Sequence, residues 1–212
     1  MKRVAVFIDG FNIYHAIDSN PEWNTYKWLN FTRLAELFVP RTERIEVILY
    51  FTALATWLPD KMARHRVFIR AVELQGVNTV YGMFKIRDKF CPNCKTRYEA
   101  HEEKQTDVNI ATQLFKLAVE DRYDKALVIS GDSDLVPAIK AVRATFPTKQ
   151  VVAVIPVGRK SEDLKQTCDF YMRMKTKHLK DSRFPDDIDI GNGQFLSCPN
   201  PWRQTALPGQ NG

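Results

Sequence analysis

Short apolar runs alternate with segments of helical periodicity along most of the chain. Residues 4–8 form an apolar run that ends at Asp9-Gly10, after which Phe11, Tyr14 and Ile17 recur at helical spacing. The same pattern predicts further strands over residues 45–51, 77–81, 125–130 and 151–155. It predicts further helices over residues 31–38, 60–74 and 135–145, and one that begins near Asp107. Such alternation favours right-handed crossovers and a parallel sheet covered by helices on both faces.

Two segments interrupt this rhythm. Residues 82–104 are densely charged, contain the turn sequence Cys91-Pro92-Asn93-Cys94 and show no helical period, which predicts an insertion or hairpin. Weak helix and strand signals cover residues 161–172, and the last thirty or so residues carry scattered Pro and Gly without periodicity. We therefore predict one domain over residues 1–178 and a flexible C-terminal tail over residues 179–212.

Composition places the chain among soluble globular proteins with a basic surface. Its 31 Lys and Arg against 25 Asp and Glu give a net charge of +6, and the residues from Ser182 onward carry −1, so the excess belongs to the folded part. A basic body favours a polyanionic partner, although the same excess also serves solubility alone. No apolar run approaches the length of a bilayer span, no secretory segment opens the chain, and four cysteines are too few for a disulfide scaffold. These features predict a cytoplasmic protein.

Acidic side chains follow two of the predicted strands. Asp9 closes the first strand, and Asp132 and Asp134 come directly after the strand that ends at Ser130. Because ligands of open parallel sheets bind at the carboxyl ends of the strands, we expect these carboxylates to meet at one edge. Carboxylates packed together repel one another unless a cation neutralises them.

A separate observation predicts that Asp107 lies at the same edge of the sheet. It precedes Ala111 and Leu114 by four and seven residues, on the helix stripe that should face the sheet. An inward carboxylate requires a partner, which is either a base such as Lys104 or a metal shared with the other aspartates. An all-oxygen ligand set favours Mg²⁺ or Mn²⁺ over Zn²⁺.

Each aspartate also has a simpler interpretation. Asp107, Asp132 and Ser133 are good helix caps, and Asp9-Gly10 is an ordinary turn sequence. Asn12 lies one helical turn after Asp9, and either Asn12 or Ser133 would position a metal-bound water or a phosphate oxygen; Asn12 would equally serve as a cap.

Three motifs occur in a fixed order. They are Val6-Phe7-Ile8-Asp9-Gly10-Phe11-Asn12, then Glu103-Lys104-Gln105-Thr106-Asp107-Val108, then Ile129-Ser130-Gly131-Asp132-Ser133-Asp134-Leu135. Together they resemble the motif series of NYN domains, the LabA-like branch of the PIN-like nuclease superfamily, over about residues 1–178. The resemblance implies a three-layer α/β/α sandwich with a central, mostly parallel sheet. It also implies that Asp9, Asp107, Asp132 and Asp134 hold Mg²⁺ or Mn²⁺ and catalyse RNA phosphodiester hydrolysis.

The segment 82–104 goes beyond a minimal domain of this kind. Single-stranded RNA is usually held by bases stacked on aromatic rings and by phosphates on Lys and Arg. The segment offers both, so it is a candidate substrate wall, with a solvated hairpin as the alternative. Its candidate RNA-binding cations are Lys85, Arg87, Lys89, Lys95 and Arg97.

Cys91 and Cys94 have the spacing of half a zinc site, and His101 follows seven residues after Cys94. Closing a structural zinc site would need a fourth ligand from elsewhere. A reduced hairpin turn without metal is the favoured interpretation.

The leading functional prediction is a metal-dependent ribonuclease that acts on single-stranded RNA. The alternative is a non-catalytic RNA-binding or regulatory module of the same family. A phosphatase or glycosyltransferase that uses Asp132-x-Asp134 is a weaker candidate, because phosphatases of the haloacid dehalogenase type carry that motif after their first strand.

Overall fold

The chain forms an α/β structure, which we describe from a computed structural model over residues 1–204. In chain order, its strands are β1 (Lys2–Asp9), β2 (Glu43–Thr52), β3 (Val77–Tyr81), β4 (Met83–Phe90), β5 (Arg97–Lys104), β6 (Lys125–Ile129), β7 (Gln150–Ile155), β8 (Phe170–Arg173), β9 (Asp187–Gly191) and β10 (Gln194–Ser197). Its α-helices are α1 (Gly10–Asp18), α2 (Phe31–Glu36), α3 (Pro59–Glu73), α4 (Thr106–Val119), α5 (Val136–Thr145), α6 (Glu162–Thr167) and α7 (Thr176–Asp181). Three short 3-10 turns complete it, at Pro21–Lys27, Ser133–Leu135 and Asn200–Trp202.

Six strands form the central sheet in the order β3-β2-β1-β6-β7-β8, and all neighbouring pairs are parallel. The chain moves outward from β1 through β2 to β3, and later outward from β6 through β7 to β8 on the other side. The order therefore reverses between β1 and β6. In open parallel sheets, that reversal point is where the loops diverge and leave a crevice at the carboxyl ends of the strands.

The sheet has a hydrophobic core on each face, because side chains along a strand alternate between its two sides. Val4, Val6 and Ile8 pack toward α1, α2 and α3, whereas Ala5 and Phe7 pack toward α4, α5 and α6. This alternation places helices on both sides of the sheet and confirms the α/β/α sandwich of the PIN-like class.

The predicted strands and helices correspond to those observed, with shifts of one or two residues at most ends. Residues 82–104, predicted as an insertion or hairpin, form the antiparallel pair of β4 and β5 with the Cys91-Pro92-Asn93-Cys94 turn at its tip. The weak signals over residues 161–172 correspond to α6 and to the short edge strand β8.

The prediction of an irregular tail is wrong for residues 179–204. This segment contains the end of α7 and a hairpin of β9 and β10, and its Phe184, Ile188 and Leu196 are buried in the core on the α1 side. Asn192 and Gly193, the two residues between the paired Gly191 and Gln194, both have positive φ angles and form the hairpin turn. The strands are too short for their alternation to stand out in the sequence. Residues 205–212 lie outside the described part of the chain.

None of the helices within residues 1–204 combines the length and the apolar character that a membrane span requires.

Candidate metal centre

Asp9 is held rigidly at the carboxyl end of β1. Only 4% of its surface is exposed, and it caps α1 by accepting a hydrogen bond from the Asn12 backbone N–H at 3.0 Å. Its other oxygen accepts a hydrogen bond from the Ser130 hydroxyl at 2.7 Å. Gly10 is required beside it, because a Cβ there would lie 2.6 Å from the Phe51 carbonyl oxygen. Close packing of α1 against β2 thus fixes where the Asp9 carboxylate lies.

The loop after β6 supplies the second carboxylate. Ser130 is fully buried, and its hydroxyl also accepts the Asp132 backbone N–H at 3.0 Å. The Gly131 N–H donates to the Asn12 side-chain oxygen at 2.9 Å, so the loops after β1 and β6 are tied together twice. Asn12 therefore acts as a positioning residue, in addition to donating its own N–H to Asp9. These bonds bring Asp132 next to Asp9 across the reversal point of the sheet.

Asp107 supplies the third carboxylate from the first turn of α4. It is half-buried, and within residues 1–204 it has neither a hydrogen-bond donor nor a basic partner. Lys104, the base that the sequence offered as its partner, pairs instead with Glu102 at 3.2 Å. The Asp107 carboxylate is therefore available to share a cation with its acidic neighbours.

Asp9, Asp107 and Asp132 form a cluster in which one oxygen of each lies within 4.8 Å of the others. Burial raises the pKa of Asp107 to about 6, with further increases from the charges of Asp9 and Asp132. Burial also raises the pKa of Asp9, whereas the two hydrogen bonds that this carboxylate accepts lower it. Three carboxylates held together without a counter-charge fit a divalent cation with oxygen ligands. Sequence reasoning predicted this triad correctly as a group.

Asp134 and Ser133 lie at the edge of the cluster. Asp134 is exposed and donates its backbone N–H to Asp132 at 2.9 Å, and its carboxylate is outside the triad. Its charge nevertheless adds to the rise in the pKa of Asp107. Ser133 is exposed in the same 3-10 turn. The structure thus brings together three of the four predicted aspartates and leaves Asp134 and Ser133 around them.

Glu103, the first residue of the second sequence motif, is a further acidic neighbour of the triad. Its side chain accepts hydrogen bonds from the backbone N–H of Thr106, at 3.0 Å, and from the Thr106 hydroxyl, at the start of α4. Its charge raises the pKa of both Asp9 and Asp107. The sequence signal for this role is a glutamate three residues before the first turn of a predicted helix, a position that suits helix capping. Glu103 also joins the β4–β5 hairpin to the carboxylate cluster.

The hairpin carries cations and aromatic rings on both of its faces. Residues that face each other across an antiparallel pair share a side, so Lys85, Arg87 and Lys89 lie on one face together with Tyr98, which is opposite Lys89. Phe84 lies on the other face and packs against Trp57 and Phe11, with ring centroids 4.7 and 5.6 Å apart. Lys95 lies in the turn and Arg97 opposite Phe90 at the tip. RNA binding by these cations stays a prediction.

The zinc set of Cys91, Cys94 and His101 is not assembled. His101 pairs with Ile86, four residue pairs from the tip, or about 13 Å along the hairpin. Its ring stacks on Trp57 with centroids 3.7 Å apart. The two cysteines lie at the turn, so this stretch of the hairpin separates them from His101. Among residues 1–204, the acidic triad is the one cluster of potential metal ligands.

The sequence matches the profile of the NYN domain over residues 3–175, most of its length. The fold, the aspartates at the reversal point and this match agree, and the chain belongs to the NYN domain family.

The proteins that are similar to it include a curated relative and a protein of known structure. A curated relative, 6-hydroxy-3-succinoylpyridine 3-monooxygenase HspA of Pseudomonas putida, is 22% identical, with 98% of this chain and 72% of the relative covered. A crystal structure of a protein of unknown function from Vibrio parahaemolyticus superposes with a TM-score of 0.58 at 15% identity, covering 86% of this chain and 96% of the other. The similarity to the Vibrio parahaemolyticus structure supports the fold.

Proposed function

We propose that this chain is a metal-dependent ribonuclease whose Asp9, Asp107 and Asp132 hold Mg²⁺ or Mn²⁺. The observation that carries the proposal is the triad itself: three carboxylates within 4.8 Å, one of them half-buried with no partner among residues 1–204. Membership of the NYN family, whose domains resemble PIN-like nucleases, supports hydrolysis of RNA. The net charge of +6 supports a polyanionic substrate.

The chain's own residues would orient the reaction. Asn12 and Ser130 hold the Asp9 carboxylate in one direction, and Ser130 also holds the backbone of Asp132. A bound divalent ion supplies an activated water and offsets charge on the phosphate. Asp107 comes from α4, which packs on the other face of the sheet from α1, so the ligands come from three separate elements of a rigid scaffold.

The proposal is tested by incubating the purified full-length chain with a panel of single-stranded RNAs in Mg²⁺, Mn²⁺ or EDTA. We expect cleavage that requires metal and falls by at least about a hundredfold in Asp9→Asn and Asp132→Asn. Asp163→Asn, an exposed carboxylate at the start of α6, is the matched control and should cleave like wild type. Intact RNA with wild type in every metal would refute the nuclease function.

A second candidate is RNA binding without cleavage. The specific observation in its favour is that Lys85, Arg87 and Lys89 lie on the hairpin face opposite the one that packs toward the site. Binding by that face would be sensitive to salt and would survive loss of the aspartates. Filter binding of labelled RNA to Asp9→Asn at several salt concentrations separates this candidate from the first.

The name of the Pseudomonas relative adds a third enzyme class, a monooxygenase acting on a pyridine ring. At 22% identity the relative's substrate is not transferable by similarity alone. An assay of 6-hydroxy-3-succinoylpyridine turnover beside the RNA panel distinguishes the two activities.

A further inference from the structure

An aromatic pocket of about 350 Å³ opens beside the acidic triad, on the α1 side of the sheet. It lies close to the site, because Gly10 and Phe11, the two residues after Asp9, form part of its wall. Its volume lies at the lower end of the range for small-ligand pockets, which suits one ring system with its sugar. Eight Phe, Tyr and Trp side chains line it, among them Phe11, Tyr14, Tyr50, Phe84 and Trp202.

The pocket contains a small group of converging polar atoms. The His65 Nε2 atom lies 3.1 Å from the Tyr50 hydroxyl and 3.2 Å from the Thr52 hydroxyl, and both hydroxyl residues are at least 96% buried. Burial lowers the pKa of His65 to about 4, so its ring is neutral at pH 7. The Tyr50 and Thr52 hydroxyls and the His65 ring all line the pocket, so they place polar atoms where the hydrogen-bonding edge of a ligand would meet them.

Cations lie at the rim of this aromatic pocket. Lys61 and Arg64 lie three residues apart on α3, on one face of the helix, and both line the pocket. Neither forms an ion pair within residues 1–204, in contrast to Lys27, which also lines the pocket and pairs with Asp18. A flat ring that carries an anionic group would complement this arrangement, with the ring in the aromatic cavity and the anion on the two cations.

We propose that this pocket binds one nucleobase of the RNA, with the phosphate of that nucleotide on Lys61 and Arg64. The inference rests on the proposed ribonuclease function and adds a site for the substrate. A nucleobase supplies what the pocket accepts: a flat face for the aromatic walls and a hydrogen-bonding edge for Tyr50, Thr52 and His65. The position of the pocket next to Asp9 would bring a neighbouring phosphate to the acidic triad.

The test is calorimetric titration of the full-length chain in EDTA with each of the four ribonucleoside 5′-monophosphates. Ribose 5-phosphate serves as the ligand without a base, and nicotinate as an aromatic acid without a phosphate. We expect at least one nucleotide to bind about tenfold more tightly than ribose 5-phosphate, in keeping with the stacking energy of a base on aromatic rings.

Two variants locate the binding. Ala55→Trp fills the pocket from a loop and should weaken nucleotide binding about tenfold or more, whereas Ala141→Trp on the exposed face of α5 should not. Lys61→Glu with Arg64→Glu changes surface charge and should weaken nucleotide binding severalfold without disturbing the core.

The proposal is overturned if every nucleotide binds no better than ribose 5-phosphate, if nicotinate binds as tightly as the best nucleotide, or if Ala55→Trp folds and binds like wild type. Asp107→Asn should bind nucleotide like wild type in EDTA. The two proposals can therefore be refuted separately. Absence of RNA cleavage would not change this titration, and a titration without nucleotide binding would leave metal-dependent cleavage in place.

Discussion

The Ser130 hydroxyl lies 2.7 Å from the Asp9 carboxylate and joins the ends of the two strands between which the sheet order reverses. Ser130 belongs to β6's loop and Asp9 to β1, 121 residues earlier in the chain. Because the same oxygen accepts the Asp132 N–H, one buried hydroxyl positions two of the three clustered carboxylates.

Replacing this hydroxyl should loosen the site and destabilise the fold. Ser130→Ala leaves the Asp132 N–H without its partner in a buried position, at a cost of about 1–3 kcal/mol in the free energy of unfolding. Metal affinity should fall about tenfold or more, because Asp9 and Asp132 lose the group that orients them. Urea denaturation and Mn²⁺ titration measure the two effects. Thr148→Ala, which removes an exposed hydroxyl at the amino end of β7, is the control and should change neither by much.

The contribution of Asp107 to the stability of the metal-free protein should decline as the pH rises from about 4 through 6. Asp107 has its pKa raised to about 6 in the folded chain, against an ordinary value of about 4. A raised pKa means that the folded state binds the proton more tightly, so this contribution is present at low pH and lost as Asp107 ionises.

Asp107→Asn should remove that decline. In EDTA at pH 7 the variant should be more stable than wild type by on the order of 1 kcal/mol, a value reduced for the half-exposed position of the carboxylate. The difference should vanish near pH 4. Denaturation curves of both proteins at several pH values provide the measurement, and a wild type that is the more stable at pH 7 without metal would contradict the repulsion in the cluster.

The C-terminal segment should contribute substantially to stability. Phe184 is 4% exposed and packs on Trp28 with ring centroids 5.4 Å apart, and the Trp28 indole donates to the Pro185 carbonyl at 2.8 Å. Phe184→Ala should therefore cost about 3–5 kcal/mol. Phe195→Ala removes the same side chain from an exposed position on β10 and should cost little. Equal effects in thermal unfolding would show that the segment does not pack on the core.

The sequence was most informative where residues follow a strand. Asp9 and Asp132 were predictable because strand ends of a parallel sheet share an edge, and Asp107 because its spacing from Ala111 and Leu114 turns it inward. The position of Glu103 beside these carboxylates could not be predicted, because it depends on the turn from β5 into α4, where Gln105 adopts a left-handed conformation. No local pattern announces such a turn at a non-glycine residue.

The aromatic pocket was equally hidden. Its walls come from α1, the Pro21–Lys27 turn, β2, α3 and Trp202, and their contacts depend on tertiary packing. His65 shows why: it lies between Arg64 and Arg66 in a basic stretch that suggests an exposed face, yet it turns onto Tyr50.

The central claim is that Asp9, Asp107 and Asp132 hold a divalent cation, and Mn²⁺ binding measured by calorimetry tests it most directly. Wild type should bind Mn²⁺, Asp107→Asn and Asp132→Asn should bind it at least about tenfold more weakly, and Asp163→Asn should bind it like wild type. Wild-type affinity in both triad variants, or no binding by wild type at millimolar Mn²⁺, would contradict the account.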